Sequence, residues 1–359
     1  MKQASFLSAE SQKRYDAFWD CDVYDRFLMF VAVGGKKIGK PEEISDEEFI
    51  TYKRDNIDFR LRESLARHDG VRYYMDAFPT QFINYGPGSL AAYIGGNYQY
   101  APNTIWFDRN PIITDWENPP RVAFDEESPL WKKTVEFTDA VLKDGSMYAS
   151  ITDIGGTVDV VASLRGTQEL LFDLYDYPEE VKAMTREVGA CWKQAYTKLA
   201  DRVAQYQDGF TSWMPIWCRQ RYSPIQCDFS AMLSPDMFKE FVLPDLIDLT
   251  EFLDKSIYHL DGPGEIPHLD HLLSIPRLNA IQWTVGAGKG KLSDECWFER
   301  YAKSQAAGKG LVLFVEDPEG AEKLMRHLSP RGVFMSVGRC DDAAARDLTA
   351  LAESLGIKG

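Results

Sequence analysis

His259 and Asp261, separated by one residue, are the first pair whose types and spacing suggest chemistry. They end the apolar run Ser256-Ile-Tyr-His-Leu260, and alternation along a strand would point both side chains to one face. Cys340 follows a late apolar run, Gly332 to Val337, and Glu316 follows the run before it, Gly310 to Val315. An imidazole, a thiolate and one or two carboxylates on one rim suit Zn²⁺ and leave a fourth position open, as catalytic zinc does. Each residue also has an ordinary role. A strand-end histidine is more often hydrogen-bonded than metal-bound, and a lone cysteine is more often a small buried hydrophobe. Asp261 opens Asp261-Gly-Pro-Gly264, a turn its carboxylate suits equally. His268 and His271 read as a helix start and its surface.

A second group of residues would position a ligand. Asp153 precedes Ile-Gly-Gly, which reads either as room for a large ligand beside the backbone or as a glycine-rich strand-to-helix turn. Gln81 and Asn84, within Pro79 to Gly88, would hold a polar ligand or cap a loop. Trp213, Trp217 and Trp283 all end apolar runs and would line one mouth around a large flat or apolar ligand. Core packing accounts for part of that aromatic load. Arg165, Arg219 and Arg221 would meet a ligand anion or make ordinary surface pairs.

The elements that must carry these residues alternate. Strands are expected at Met147 to Thr152, Gly209 to Trp217, Ser256 to Leu260, Ala280 to Thr284, Gly310 to Val315 and Gly332 to Val337. Between them lie helical patterns, among them Pro178 to Gln205, Ser293 to Ala307, Pro318 to His327 and Asp341 to Leu355. A long helix from Ser234 through Leu253 should break at Pro244. The first 75 residues read as helical and polar, with Ser45 as a helix cap. Alternation of this kind implies parallel βαβ units, and seven or eight follow Asp76. The expected fold class is therefore α/β, a (β/α)8 TIM barrel (75–359) with an N-terminal helical extension (1–74). In such a barrel, chemistry sits at the C-terminal strand ends, where the residues above fall.

Composition narrows the function classes. In 359 residues, Lys plus Arg number 40 and Asp plus Glu 55, so the net charge of −15 argues against nucleic acid or an anionic membrane as the main partner. The longest apolar stretch near the N-terminus, Phe27 to Val33, is far too short to span a bilayer. Six separated cysteines without a CxxC pair read as reduced thiols, so a cytoplasmic location is expected.

Several stretches together resemble the uroporphyrinogen decarboxylase superfamily. They are Gly155-Gly-Thr-Val-Asp-Val-Val-Ala-Ser-Leu-Arg-Gly166, Phe172-Asp-Leu-Tyr-Asp-Tyr-Pro-Glu-Glu-Val181, Asp228-Phe-Ser-Ala-Met-Leu-Ser-Pro-Asp-Met-Phe238 with its continuation to Pro244, and Tyr258-His-Leu-Asp-Gly262. The resemblance covers roughly residues 75 to 355 and implies a (β/α)8 barrel. It also implies one of two chemistries: cofactor-free decarboxylation of a tetrapyrrole, or zinc-dependent methyl transfer to or from a corrinoid held by a partner protein. The decarboxylase signature Arg-Gln-Ala-Gly-Arg-Tyr is missing, and Met75 to Asn84 stands in its region. The methyltransferases hold zinc on His-x-Cys and a distant second Cys. Here His259-Leu-Asp261 and Cys340 take those places, with Asp261 replacing the first thiolate and Glu316 as a further ligand candidate. That exchange makes a harder centre, suited to polarising an ether oxygen. The resemblance thus implies a methyltransferase with Zn²⁺, a small-molecule methyl donor such as a methyl-aryl ether (O-demethylation) and a corrinoid-binding protein as partner. Asp153 and Asp261 are its catalytic candidates. A homodimer is the default assembly. The alternatives are a cofactor-free decarboxylase and a non-catalytic corrinoid or tetrapyrrole binder.

Overall fold

The computed structural model describes residues 5–107, 111–286 and 288–356. Its strands, in chain order, are β1 (Leu28–Val33), β2 (Arg72–Met75), β3 (Thr80–Gln81), β4 (Gln99–Tyr100), β5 (Ile105–Trp106), β6 (Tyr148–Ala149), β7 (Tyr222–Gln226), β8 (Lys255–Asp261), β9 (Ala280–Thr284), β10 (Gly310–Val315) and β11 (Val333–Val337). Seven of them form one sheet in the order β2-β1-β11-β10-β9-β8-β7. All neighbours are parallel except β1 and β2. A separate parallel pair joins β3 to β6, and β4 pairs with β5 as an antiparallel hairpin. The fold is α/β with a mostly parallel central sheet, but its strand ladder is open. Among the described residues no ladder joins β6 to β7; in that direction the β3–β6 pair is extended by the Ile151 N–H to Thr211 carbonyl bond, at 2.8 Å, and by the Gln207 side chain, which bonds both backbone groups of Ala149.

The second half follows the apolar pattern closely. β9 and β10 coincide with the expected runs, and β8 and β11 fall within a residue of theirs. Central parallel strands are covered on both faces and so read as continuous apolar runs. The last two helices start on side-chain caps. Asp317 accepts from the Gly320 N–H at 2.9 Å, and Asp341 accepts from the Ala344 N–H at 2.8 Å. The long helix breaks at Val242, just ahead of Pro244, giving helices Pro235–Phe241 and Leu243–Phe252. Ser45 forms a full capping box with Glu48.

Two expectations are corrected. The stretch before residue 75 is not only helical: it supplies β1, an inner strand of the sheet, and β2 at its edge. Gly209 to Trp217 is no strand; it carries a single bridge, Phe210 to Cys218, because Pro215 lacks an N–H and the buried Tyr222 hydroxyl takes the Ile216 carbonyl at 2.7 Å. The strand there is β7, whose Ser223 and Pro224 hide it in the sequence. None of the described helices is long and apolar enough to cross a membrane.

The N-terminal helix Ala9–Trp19 is fastened to the sheet through Asp76, which is 1% exposed. The Asp76 carboxylate meets Arg26 at 2.7 Å and Arg14 at 3.0 Å, and accepts from the Ser11 hydroxyl at 2.9 Å. Removing one partner of such a group strands buried charge. Asp76→Ala is expected to destabilise the fold by about 3–5 kcal/mol in urea unfolding; a loss below about 1 kcal/mol would mean that the network is incidental.

Candidate functional site: an acidic cluster around one histidine

β8 delivers His259 and Asp261 to the same face of the sheet. The third member of the cluster is Asp228, which opens the 3-10 turn Asp228–Met232 directly after β7. One ligand atom from each of Asp228, His259 and Asp261 lies within 4.8 Å of the others. The turn carrying Asp228 is fixed by Asp159, whose carboxylate accepts from the Asp228 N–H at 3.1 Å and the Phe229 N–H at 2.8 Å.

The imidazole is oriented by a glutamine. Gln282 lies opposite His259 in the β8–β9 register, and its side-chain amide donates to the Trp283 carbonyl at 2.9 Å. Its oxygen therefore faces His259 and accepts from Nδ1. That assigns the proton to Nδ1 and leaves the Nε2 lone pair free, the arrangement of a metal-ligating histidine with its outer hydrogen bond already made. Trp213 stands edge-on to the ring, with centroids 5.2 Å apart at 90°.

The cluster borders a cavity of about 410 Å³ whose wall includes Asn84, Asp153, Trp213, Asp228 and His259. A second cavity of about 370 Å³ lies on the other side of Asp228, beside Asp159 and Met232. Carboxylates crowd the floor between them. Burial, then repulsion from Asp228, pushes the Asp153 carboxyl up to about 6. Burial raises Asp159 and Asp228 as well; the Asp228 charge adds to the rise of Asp159, whereas His259 opposes that of Asp228. One Asp153 oxygen accepts from the Gly155 N–H at 2.9 Å. The Gly155-Gly156 pair explains the glycines after Asp153: a Cβ at Gly155 would lie 2.4 Å from Gly88 Cα, and one at Gly156 would lie 2.1 Å from the Gln226 carbonyl oxygen. The glycines thus serve the close packing of the strand-to-helix turn, while Asp153 and Gly155 still border the two cavities.

Not every expected residue reaches the site. Cys340 and Glu316 lie outside the cluster. The Cys340 thiol, raised by burial and by Asp341 and Asp342, points to the Asp341 carbonyl at 3.5 Å, on the turn where Asp341 caps the last helix. Glu316 keeps a buried, unpartnered Oε2 beside the Asp317 cap. Trp217 and Trp283 belong to the core, 0% and 1% exposed. Trp217 packs on Tyr15 and Trp283 on Tyr301. Gln81 is buried and donates to the Phe82 carbonyl at 2.6 Å; it borders a neighbouring cavity beside Arg54 and Arg60, whereas Asn84 borders both that cavity and the one at the cluster. His268 is buried, stacked on Phe238 and bonded to the Ser230 carbonyl. Arg165, Arg219 and Arg221 pair with Asp173, Asp16 and Asp201. Asp228 escaped the search for ligands because the strand before it was not recognised.

No family model and no curated protein sequence matches the chain. Its architecture is similar to that of a methyltransferase from Methanosarcina mazei, with a TM-score of 0.63 at 12% identity over 98% of this chain and 99% of that one. At that identity the likeness concerns the fold.

The two kinds of tryptophan separate experimentally. Trp283→Ala is expected to destabilise the chain by about 3–5 kcal/mol in denaturant unfolding. Trp213→Ala should leave the midpoint within about 1 kcal/mol of the parent while altering ligand binding in the cavity. Equal losses from both would place Trp213 in the core.

Proposed function

We propose that the chain is a metal-dependent methyltransferase that moves a methyl group between a methylated small molecule and the cobalt of a corrinoid held by a partner protein. The observation that carries this reading is the Asp228–His259–Asp261 cluster on a cavity wall, with His259 Nε2 left free. One imidazole and two carboxylates form a donor set for a divalent cation, and Zn²⁺ suits it with a fourth position open. Tetrahedral zinc spaces its ligand atoms ~3.4 Å apart, so side-chain adjustments close the cluster. Zinc bound there would polarise the heteroatom that carries the methyl group, lowering the charge it must bear on leaving.

The chain's own residues do the rest. Gln282 fixes the imidazole, and Trp213 covers the ring's edge against water. Asp153, brought to about 6 by burial and by Asp228, can exchange a proton near neutral pH, and the Gly155 N–H holds one of its oxygens. A cobalt(I) corrinoid would supply the electron pair that accepts the methyl group; on this chain Asp153 would give a proton to the ether oxygen, so that it leaves as a phenol when the O–CH₃ bond breaks. A corrin ring is larger than the cavity of about 410 Å³, so the corrinoid would approach from the mouth on its own protein. A methyl-aryl ether is the substrate class we favour, beneath Trp213. The likeness to the Methanosarcina mazei methyltransferase supports the same architecture, and we take the two parallel ladders as parts of one (β/α)8 wall. A cytoplasmic setting would keep the thiols reduced.

One observation favours cofactor-free decarboxylation: Asp153 as a proton source for a carbanion. Among the described residues, however, no lysine or arginine borders that cavity to seat a leaving carboxylate.

The test is turnover of methoxylated aromatics by the zinc-loaded chain with cob(I)alamin, following loss of the cobalt(I) absorbance and release of the phenol. Gln282→Leu is expected to slow turnover ~10–100-fold, and Cys340→Ala to leave it unchanged. Full turnover in chelator-treated protein would remove the metal from this reading, and carbon dioxide release without metal would replace it with the decarboxylase.

A further inference from the structure

A third cavity, of about 260 Å³, adjoins the first and shares Phe82, Asn84 and Asn103 with it. Its character is opposite. Lys53, Arg54, Arg60 and Arg67 line it, in a chain whose net charge is −15. Arg54 ends helix Asp46–Asp55, and Arg60 lies in the first turns of helix Ile57–His68; they are 8% and 6% exposed.

Two of these cations are already committed. Arg67 pairs with Glu63 at 3.4 Å, and the Lys53 ammonium is held by the Pro102 carbonyl. Arg54 and Arg60 are not. Among the described residues neither makes an ion pair, and each keeps a buried N–H without a partner, Nε on Arg54 and Nη1 on Arg60. The Arg60 guanidinium lies between the Tyr85 and Phe137 rings, 4.2 and 3.9 Å from their centroids, and its Nη2 donates to the Asn84 carbonyl at 2.9 Å. Stacking and that bond lock the plane of the fork while one nitrogen remains open. Burial, and after it repulsion from Arg54, push the Arg60 pKa down from its ordinary value, while Glu63, which pairs with Arg67, is the one carboxylate among the lining residues. Two buried guanidiniums that share no ion pair with that carboxylate are unfavourable unless an anion joins them.

We propose that this cavity is an anion subsite that takes the carboxylate of the substrate. Arg54 and Arg60 bind its oxygens, and the rest of the molecule passes Asn84 into the neighbouring cavity. The methylated substrate is therefore a methoxylated aromatic acid and not a neutral ether. This rests on the reading of the neighbouring cavity as the reaction site, but the subsite acts without the metal. The Asn84 backbone links the two: its carbonyl holds Arg60, while its side chain accepts from the Gly86 N–H at 2.9 Å and stiffens the loop between the cavities.

The experiment is calorimetric titration of the full chain, with zinc and after chelation, using 4-methoxybenzoate, its neutral amide and inorganic phosphate. The benzoate should bind at least 10-fold more tightly than the amide whether or not zinc is present. Arg54→Gln should abolish that preference without changing amide binding. Arg60→Lys, which keeps the charge and loses the fork, should weaken benzoate binding severalfold at an unchanged melting temperature. Equal binding of benzoate and amide, or a preference that survives Arg54→Gln, would overturn the subsite. Phosphate bound in place of the benzoate would overturn the carboxylate assignment. Because the preference is read without zinc, failure of the metal reading leaves it standing, and its own failure leaves the metal reading untouched.

Discussion

Four carboxylates, Asp153, Asp159, Asp228 and Asp261, gather around a single imidazole, and their mutual repulsion is the constraint to which the rest of the site answers. Two like charges ~5 Å apart repel by about 3 kcal/mol at an effective dielectric constant of 20. The chain meets part of that cost by easing the acids toward their neutral forms: burial first, and repulsion from Asp228 second, bring Asp153 to about 6 and shift Asp159 upward. It meets another part with backbone N–H groups, two of which point at Asp159. A divalent cation would offset much of the remainder.

The site is also graded in charge. The acidic cluster faces a cavity with an aromatic wall at Trp213, and beyond Asn84 lies a pocket whose two free cations are buried. A ligand that spans both must carry a negative end and a less polar reacting end. This local polarity is invisible in the net charge of −15, which averages a basic recess with an acidic surface. The same segments serve both ends. The loop after β3 carries Asn84, and the helix bearing Arg60 packs through Phe59 against Phe49 and Tyr52 of the helix before it.

Much of the second half was legible in the sequence because buried parallel strands repeat apolar residues without interruption. β9 and β10 are read to the residue for that reason. β7 was not, since Ser223 and Pro224 break the run, and with it went Asp228. β1 was overlooked because its apolar run, Leu28-Met-Phe-Val-Ala-Val33, stands among polar helices, although it lies inside the sheet. The i, i+2 spacing of His259 and Asp261 located half of the cluster, as strand geometry requires. Cys340, Glu316, Trp217 and Trp283 show the limit of that argument. A position at a strand end does not tell whether a side chain turns into the cavity, into the core or toward a helix cap, because this depends on packing from distant segments. Closure lies beyond that argument for a related reason: alternation predicts parallel units, and only hydrogen-bond register decides whether their ladder is continuous, as it is not between β6 and β7 among the described residues.

The most direct test of the central claim, that the crowded carboxylates and His259 bind a divalent cation, is metal stoichiometry by mass spectrometry after zinc loading and desalting. The account predicts one zinc per chain in the parent and in Cys340→Ala, and none in Asp228→Ala or His259→Ala at a preserved melting temperature. Zinc retained by Asp228→Ala but lost from Cys340→Ala, or a parent that holds none, would contradict it.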